Sequence, residues 1–480
     1  MIQIQNFING EFRQPLGLKY IDNFEPATGK VFSQVPQSTV ADVGLAVESA
    51  KAAAPAWAAC SPDERANYLS SIAAFIRDGA EEFAQAESQD NGKPLSLARG
   101  VDIPRSALNF EFFAAAARTK SSESHHGEGA INLTRRDPLG VVACISPWNL
   151  PLYLLTWKIA PALAAGNTVV AKPSELTPYT AFLLGNAFKV AGLPPGVVNL
   201  VHGYGAEAGA PLCEHPDVKA ISFTGGTATG RGIALSVASQ FKKVSLEMGG
   251  KNANIVFADC DFDEAVHTSV RAAFANQGQI CLCGSRILVE SEIYEQFRDR
   301  FVQLVSELRV GDPLRAETDQ GALVSKAHYQ KVLTAIAAAE QEGGRVLCGG
   351  RSVPGDGRCE GGWFVAPTVI EGLGPQARTN QEEIFGPVVT LIPFEDEAEA
   401  LEIANGTNYG LAASLWTQDL NRAHRLSAKL DAGIVWVNTW MNRDLRTPFG
   451  GMKESGLGRE GGWEALRFFT EAKNICISYK

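Results

Sequence analysis

The chain has 480 residues, of which 45% are hydrophobic and 20% charged, and its formal net charge is −10. This composition is typical of a globular protein with its own apolar core, and the length allows about three domains. The acidic balance and the absence of any dense run of Lys or Arg argue against a nucleic-acid partner.

The N-terminal stretch MIQIQNFINGEF has neither the basic start nor the long apolar run of a secretory leader. No apolar run in the sequence approaches the ~20 residues that a membrane-spanning helix needs.

Nine cysteines, an odd number, fit a reducing compartment better than a disulfide framework. Seven scattered histidines, without HExxH or paired CxxC spacing, predict no metal site. We expect a cytoplasmic protein without a membrane partner.

From Gly140 onward, apolar runs alternate with helix-like segments. The apolar runs are residues 141–146, 168–172, 197–203, 219–225 and 244–248. The helix-like segments between them include Tyr179–Ala191 and Thr227–Ser239. Strands that are apolar throughout are typical of parallel sheets covered on both faces by helices. The pattern predicts a doubly wound, Rossmann-like nucleotide-binding domain.

After Gly250 the alternation starts again. The predicted strands are residues 254–259, 286–291, 387–394, 411–417 and 434–438. A helix is predicted over Phe262–Asn276, and a polar loop with Cys281 follows it. The sequence therefore predicts a second α/β domain, and this domain carries a thiol.

Two segments fit neither domain. Ser121–Arg136 is polar and strand-like at its end, and residues 474–479 (NICISY) alternate apolar and polar side chains after a helix. Exposed edge strands of this kind pair readily with other chains. The alternative is that the C-terminal strand docks on its own chain.

Three segments could act together on a carbonyl carbon. Residues 274–286 (FANQGQICLCGSR) hold Cys281, SLEMGG ends a strand at Glu247, and SPWNLP holds Asn149. A thiol, a carboxylate base and an amide donor are what thioester chemistry requires. Each also has an ordinary explanation, as a buried apolar thiol, a surface or capping carboxylate and a turn residue. A nucleophilic Cys281 would need a positive or dipolar environment to lower its pKa.

Six motifs, in this order and spacing, resemble those of the NAD(P)-dependent aldehyde dehydrogenase superfamily. They are FINGEF (7–12), KPSELTP (172–178), FTGG (223–226), EMGGKN (247–252), EEIFGP (382–387) and PFGGMKESGLGRE (448–460). The resemblance implies the aldehyde dehydrogenase fold, with an NAD-binding domain (1–120 and 139–249), a catalytic domain (250–448) and a small β arm (121–138 and 466–480). In this family such arms pair between subunits, so we expect a homodimer or homotetramer.

The resemblance also implies a role for each of the three reactive groups. Cys281 lies two residues after Gln279, the position of the family's nucleophile, which selects it over Cys283. Glu247 would be the general base that activates the water hydrolysing a thioester. The Asn149 amide, with the backbone N–H of Cys281, would form the oxyanion hole.

NAD is the expected cofactor. Glu175, just past the second strand, can accept hydrogen bonds from both adenosine ribose hydroxyls and would repel a 2′-phosphate. The turn at Gly225 and Gly226 opens a helix whose N–H groups could face the pyrophosphate, although many relatives have Ser at position 226. Gly205 belongs to a weak GxGxxxG signal, typical of a tight turn. The cofactor-binding candidates, of which the last two come from the resemblance alone, are Ser146, Trp148, Lys172, Glu175, Gly205, Thr224, Gly225, Gly226, Glu383 and Phe385.

Two arginines indicate an anionic substrate. Aligned on the family, Arg105 falls where relatives for simple aldehydes have an apolar channel residue, and Arg446 falls in the substrate mouth. Beside Leu150, Trp157 and Trp440 they would suit a planar, conjugated substrate with a carboxylate, unless both are surface arginines. The segments IPR (103–105), RDLRTPFGG (443–451), WNLPLYLLTWK (148–158) and CLCGSR (281–286) resemble the subgroup that oxidises 2-aminomuconate and 2-hydroxymuconate semialdehydes. CLCGSR favours the amino substrate slightly.

Three other functions would use these residues differently. A CoA-acylating dehydrogenase would share the thiol but would not need a hydrolytic base such as Glu247. A thiol redox protein built on Cys281 and Cys283 is disfavoured because CxC lies in no thioredoxin-like context. An inert binding protein is disfavoured because every proposed catalytic residue type is present. The sequence therefore predicts an enzyme whose partners are a small semialdehyde, NAD and further copies of itself.

Overall fold

A computed structural model describes residues 1–119 and 121–479 of the chain. Lys120 and Lys480, which end two of the predicted segments, lie outside the described residues. Within the described chain, no helix has both the length and the hydropathy to cross a membrane.

The strands are short and spread along the whole chain. In order they are β1 (Ile2–Gln3), β2 (Asn6–Ile8), β3 (Glu11–Arg13), β4 (Tyr20–Glu25), β5 (Lys30–Pro36), β6 (Ser124–Gly127), β7 (Ala130–Pro138), β8 (Val141–Ile145), β9 (Thr168–Lys172), β10 (Val198–Leu200), β11 (Val218–Thr224), β12 (Lys243–Glu247), β13 (Ala253–Val256), β14 (Arg286–Glu290), β15 (Arg345–Cys348), β16 (Ser352–Val353), β17 (Phe364–Val365), β18 (Thr368–Glu371), β19 (Val388–Phe394), β20 (Tyr409–Gly410), β21 (Ala412–Trp416), β22 (Ile434–Val437), β23 (Met452–Lys453), β24 (Gly456–Leu457) and β25 (Thr470–Ser478).

The α-helices lie between these strands. In order they are α1 (Val40–Ala59), α2 (Pro62–Asp78), α3 (Ala80–Asn91), α4 (Leu95–Leu97), α5 (Ile103–Arg118), α6 (Pro151–Ala164), α7 (Tyr179–Val190), α8 (Ala210–Glu214), α9 (Thr227–Val237), α10 (Phe262–Phe274), α11 (Tyr294–Ser306), α12 (Lys326–Gln341), α13 (Arg378–Gln381), α14 (Glu397–Asn405), α15 (Leu420–Ser427) and α16 (Gly462–Phe468). Irregular helical turns cover Ala98–Asp102, Gly205–Gly209, Ala238–Gln240, Ala275–Gly278, Ser291–Ile293 and Gly357–Cys359.

The first large sheet has the strand order β24-β12-β11-β8-β9-β10-β2-β3. Its five central strands, β12 to β10, are parallel to one another. Alternate residues of β8 pack into different apolar clusters, with Val142 in one and Ala143 in the other, because successive side chains of a strand point to opposite faces. Helices therefore cover both faces, and the predicted doubly wound sheet is confirmed.

The second large sheet has the order β15-β18-β19-β14-β13-β21-β22, and all its neighbouring pairs are parallel except β15 with β18. It confirms the second α/β unit predicted after Gly250. The helix predicted to reach Asn276 ends earlier, at Phe274. Asn276 and Gln277 then have positive φ angles of 52° and 57°, which turn the chain toward the loop that carries Cys281.

The two segments assigned to an arm form a separate sheet with the order β25-β7-β6. The C-terminal strand β25 pairs antiparallel with β7 along its whole length, from Thr470 opposite Pro138 to Ser478 opposite Ala130. In the described chain the C-terminal strand thus pairs with β7 of its own chain, and β25 forms one edge of this sheet.

The sheets place the functional loops at one edge. The loops after β8, β9, β11 and β12 all leave the first sheet at the carboxyl ends of parallel strands, where open α/β sheets bind ligands. The antiparallel strand β24 brings the C-terminal segment to the same place, because Gly456 pairs with Glu247. Residues far apart in the sequence therefore meet around Glu247.

Candidate active site

Two adjoining cavities line this edge of the first sheet. The deeper has a volume of ≈ 250 Å³ and contains Cys281 and Asn149, while the outer has a volume of ≈ 550 Å³ and contains Lys172 and Glu175. The residues that line both cavities are Pro147, Trp148, Thr224, Gly225 and Gly226. Together the cavities form one extended groove with a thiol at its inner end.

Cys281 is held in the groove by contacts to its loop. Its carbonyl oxygen accepts a hydrogen bond of 2.7 Å from Asn252 Nδ2, and the carbonyl of Cys283 accepts another of 2.9 Å from the same amide. Trp440 Nε1 donates to the Leu282 carbonyl at 2.9 Å. Cys281 and Cys283 are both free thiols, but Cys283 is buried and does not line the groove. The loop geometry agrees with the choice of Cys281.

The electrostatics of the thiol differ from the sequence expectation of a lowered pKa. Burial, together with the carboxyl groups of Glu383 and Glu247, raises the pKa of Cys281 to about 12. Among the groups acting on it, the guanidinium of Arg443 is the one that lowers the pKa. Formation of the thiolate therefore requires a base or a charge change in the site.

Glu247, at the end of β12, is 3% exposed, and neither carboxyl oxygen has a hydrogen-bond partner in the described chain. Gly450 lies directly against it, because a β-carbon at that position would be 2.6 Å from Oε1. Burial first, and the nearby carboxyl of Glu460 second, hold the pKa of Glu247 well above its ordinary value. An unpartnered carboxyl with a raised pKa is suited to accept and release a proton.

Behind Glu247 lies a buried ion pair that the sequence analysis missed. Lys158 Nζ lies 2.6 Å from Glu460 Oε1, and Ser222 Oγ donates to the same oxygen at 3.0 Å. Lys158 belongs to the helix α6 (PLYLLTWKIAPALA), which carries no other charged residue and is buried throughout. A lysine in such a helix must find a buried partner, and that signal could have indicated the pair.

Asn149 is tied to the thiol loop. Its side-chain Nδ2 donates to the Gln279 carbonyl at 2.9 Å, and its backbone carbonyl accepts from Asn276 Nδ2 at 3.0 Å and from Lys93 Nζ at 3.1 Å. Lys93 is fully buried and also pairs with Asp102 Oδ2 at 2.6 Å. This network fixes the Asn149 amide beside Cys281, as an oxyanion donor must be fixed.

The outer cavity fits a dinucleotide. Ser146 Oγ and Thr224 Oγ1 line it and are buried without hydrogen-bond partners in the described chain. Lys172 Nζ and Glu175 Oε2 lie 3.2 Å apart in its wall, and Gly205 lines it as well. Ribose and phosphate groups could satisfy all of these atoms.

The turn before α9 lines part of this cavity, through Gly225 and Gly226. A β-carbon on Gly225 would overlap the Phe223 ring, whereas Gly226 has open space around it. Gly226 makes no side-chain cap to α9, so the first N–H groups of that helix are left free to face an anion. Glycine is therefore required by packing at position 225 but not at position 226.

Glu383 and Phe385 border the deeper cavity. Glu383 Oε1 accepts from the Gly250 N–H at 2.9 Å, and burial raises the pKa of this carboxyl to about 7. Phe385 has a positive φ of 62° and packs edge-on against Trp148 at 5.2 Å. His328, which the sequence analysis did not single out, lies 2.7 Å from the Phe385 carbonyl through Nε2 and holds this strained residue in place.

Of the two arginines predicted to bind the substrate, Arg105 lies against aromatic rings and Arg446 does not. Arg105 lies over the Tyr153 and Trp157 rings, 5.1 and 5.3 Å from their centroids. The structure does not bring Arg446 to it: that side chain is 80% exposed and paired with Asp444 at 2.6 Å. This is a correction to the predicted pair, because Arg446 binds its own neighbour in solvent instead of facing the rings.

Arg443 occupies the place expected for Arg446. It lies 5.6 Å from the Trp157 centroid and 4.0 Å from that of Phe449, and its Nη1 donates to Tyr153 Oη at 3.0 Å. The charge of Arg443 lowers the pKa of both Cys281 and Glu247, so this guanidinium lies within electrostatic range of the two reactive groups. Leu150, Trp157 and Trp440 are buried around this region.

The chain matches proteins of known family over nearly its whole length. Residues 12–475 match the model of the aldehyde dehydrogenase family. A 2-aminomuconic semialdehyde dehydrogenase from Danio rerio is 49% identical over 482 residues, covering 99% of this chain and 98% of the relative. A 2-hydroxymuconic semialdehyde dehydrogenase from Pseudomonas sp. (strain CF600) is 48% identical, covering 99% and 100%.

Solved structures agree with this assignment. An NAD⁺ complex of an aldehyde dehydrogenase from Bacillus cereus superposes with a TM-score of 0.97 at 39% identity, covering 100% of this chain and 97% of that one. At this identity the likeness extends beyond the fold to the family. With its thiol, amide and carboxyl gathered at one groove, the chain belongs to the aldehyde dehydrogenase family.

Proposed function

We propose that this aldehyde dehydrogenase oxidises a carboxylate-bearing, conjugated semialdehyde, 2-aminomuconate 6-semialdehyde, to the dicarboxylate with NAD. The observation that carries the substrate class is the pair Arg105 and Arg443, which share the Trp157 ring. Arg443 is also close enough to Cys281 for its charge to lower the pKa of the thiol. Guanidinium groups recognise planar carboxylates by paired hydrogen bonds. The activities for which the two relatives are named agree with this class.

A second substrate, 2-hydroxymuconate semialdehyde, differs from the first by one polar substituent. A relative named for it is 48% identical to this chain, against 49% for one named for the amino compound. Both compounds carry the carboxylate that the arginines would hold.

In the proposed reaction, the Cys281 thiol gives its proton to water, Sγ forms a bond to the aldehyde carbon, and the carbonyl oxygen becomes an oxyanion. The second N–H of the Asn149 amide and the backbone N–H of Cys281 donate to that oxyanion. When bound, NAD accepts the hydride that leaves this carbon. Glu247 then takes a proton from water, whose oxygen attacks the resulting thioester carbon as the bond to Sγ breaks. The carboxylic acid leaves and the thiol regains a proton.

The groove residues support the cofactor assignment. Glu175 and Lys172 would hold the adenosine ribose, and the N-terminus of α9 after Gly225 and Gly226 would face the pyrophosphate. Ser146, Trp148, Gly205 and Thr224 line the cavity between them, and Glu383 with Phe385 would hold the nicotinamide half.

The protein's organisation is proposed on the same resemblance. We propose an NAD-binding domain (1–120 and 139–249), a catalytic domain (250–448) and an arm (121–138 and 466–480), assembled as a cytoplasmic homo-oligomer. The free state of all nine cysteines agrees with a reducing compartment. Strands β6 and β25 are the two edges of the arm sheet and offer unpaired backbone groups for assembly.

The substrate proposal predicts different effects for two neighbouring arginines. Arg443→Ala should raise KM for 2-hydroxymuconate semialdehyde by roughly 10- to 100-fold, because it removes charge-assisted hydrogen bonds to a carboxylate. Arg446→Ala is the matched control, since that side chain is exposed and paired with Asp444. NADH formation at 340 nm, with a neutral aldehyde of similar size as the second substrate, measures both.

A loss of kcat with both substrates is also expected for Arg443→Ala, because its charge lowers the pKa of Cys281 and Glu247. Only the KM values for the semialdehyde and the neutral aldehyde test the substrate proposal. A KM that rises equally for the neutral aldehyde, or a larger effect at Arg446, would contradict it.

Replacing Glu460 should shift the pH dependence of kcat. Glu460 is one of the groups that raise the pKa of Glu247, so Glu460→Gln should lower that pKa. A base with a lower pKa stays deprotonated to lower pH, so the ascending limb of the kcat–pH profile should move to lower pH. Glu464→Gln, four residues on and partly exposed, is the control. An unmoved limb, or one shifted upward, would exclude this coupling.

A further inference from the structure

A buried side-chain amide contacts Arg105, one of the two arginines proposed to hold the substrate carboxylate. The proposed reaction gives this amide no role. Asn109, on α5, is fully buried. Its Oδ1 accepts a hydrogen bond of 3.0 Å from Arg105 Nε, one helical turn earlier. Its Nδ2 donates to the Tyr153 carbonyl and to Thr156 Oγ1, both at 3.1 Å. The amide therefore joins α5 to α6.

The orientation of this amide is fixed by chemistry. Arg105 Nε can only donate and the Tyr153 carbonyl can only accept, so the oxygen must face the arginine and the nitrogen the carbonyl. A flipped amide would place donor against donor and acceptor against acceptor. Asn109 is thus a rigid acceptor for one particular edge of the Arg105 guanidinium.

Arg105 depends on that acceptor. Its guanidinium lies over the Tyr153 and Trp157 rings, which hold its face but offer no acceptor in its plane. Nη2 is buried and has no hydrogen-bond partner in the described chain. Because Nε is held by Asn109, the Nη end is left directed away from the stem and available for a carboxylate.

The second arginine is connected to the same amide through Tyr153. The carbonyl of Tyr153 accepts from Asn109, and its Oη accepts from Arg443 Nη1 at 3.0 Å. Asn109 therefore sets the position of the helix segment on which both guanidinium groups rest.

We propose that Asn109 is a positioning residue for substrate specificity: it aims Arg105 at the substrate carboxylate and aligns the Tyr153 support of Arg443. This inference rests on the proposed function, because it requires that the arginines hold a carboxylate. It assigns Asn109 no contact with the reacting atoms, so its loss should change binding of the anionic substrate and leave the chemical step intact.

A purely structural amide would behave differently. If Asn109 only joined α5 to α6, its replacement would lower stability and affect every aldehyde alike. A positioning role instead predicts an effect that depends on the substrate carboxylate and on the presence of Arg105. A double-mutant cycle separates the two roles.

The experiment uses the full-length enzyme with NAD and compares wild type, Asn109→Leu, Arg105→Ala and the double variant. The substrates are 2-hydroxymuconate semialdehyde and a neutral aldehyde of similar size. Asn109→Leu should raise KM for the semialdehyde about tenfold or more, the effect of a lost charge-assisted hydrogen bond, with kcat and the neutral-aldehyde KM little changed. The double variant should match Arg105→Ala. Asn109→Ala serves as the second variant if Asn109→Leu does not fold.

The outcomes separate the inference from the function it rests on. If wild type shows no preference for the semialdehyde, both the substrate proposal and the role of Asn109 are overturned. If Arg105→Ala raises KM but the Asn109 variants do not, only the role of Asn109 is overturned. Equal effects on both aldehydes, or full additivity in the double variant, would show that Asn109 is structural.

Discussion

Replacing Cys281 with alanine should reduce aldehyde oxidation by at least ~10⁴-fold, the scale seen when an enzyme loses its nucleophile. NAD should still bind, because the thiol lies at the inner end of the groove and the outer cavity does not contain it. Turnover is measured by NADH formation, and cofactor binding by titration of tryptophan fluorescence, since Trp148 lines both cavities.

Cys283→Ala is the matched control for this variant. Cys283 lies two residues further on, is buried in the apolar cluster against which Cys281 packs, and does not line the groove. It should keep turnover near the wild-type level. Activity that survives in Cys281→Ala and disappears in Cys283→Ala would reverse the assignment of the nucleophile.

Glu247→Gln should separate the two halves of the reaction. Loss of a general base typically costs ~10²- to 10⁴-fold, and here the loss should fall on thioester hydrolysis. The first half should persist, because Glu247 is one of the groups that raise the pKa of Cys281 and the neutral amide removes that effect. A rapid burst of one NADH per active site should therefore be followed by very slow turnover.

Stopped-flow absorbance at 340 nm resolves that burst, and acid quenching should recover the protein with the acyl group attached. The Cys281→Ala/Glu247→Gln double variant must show neither. If the burst disappears in Glu247→Gln itself, the carboxyl serves the attack of the thiol and not the hydrolysis.

The fold could be predicted largely from apolar runs, because a strand buried on both faces must be apolar along its length. The run 168–172 coincides with β9, and 141–146 contains β8. The end of α10 could not be predicted in this way. Neither Gly nor Pro follows Phe274 directly to mark the end of the helix, but the chain leaves the helix through positive φ at Asn276 and Gln277. Contacts around the thiol loop, such as that of Asn276 Nδ2 with the Asn149 carbonyl, decide this conformation.

The candidate site was predictable where a motif marks a residue, and less so where only packing does. Cys281, Asn149 and the glycine turn lie together in one groove as their motifs indicate. Arg443 and Arg446 lie three residues apart in one irregular loop, where no periodicity tells which side chain faces inward. The Phe449 ring and Tyr153 Oη hold Arg443 inside, and these partners come from distant parts of the chain.

The segment from Phe449 to Thr470 does three things within about one-twentieth of the chain. Gly450 leaves room for the Glu247 carboxyl, Glu460 sets its charge environment, and Thr470 begins β25 of the arm sheet. An insertion or deletion anywhere in this stretch would shift one of these features relative to the others. The length of this stretch thus links the arm sheet to the surroundings of the Glu247 carboxyl, so that a change in its length should disturb both.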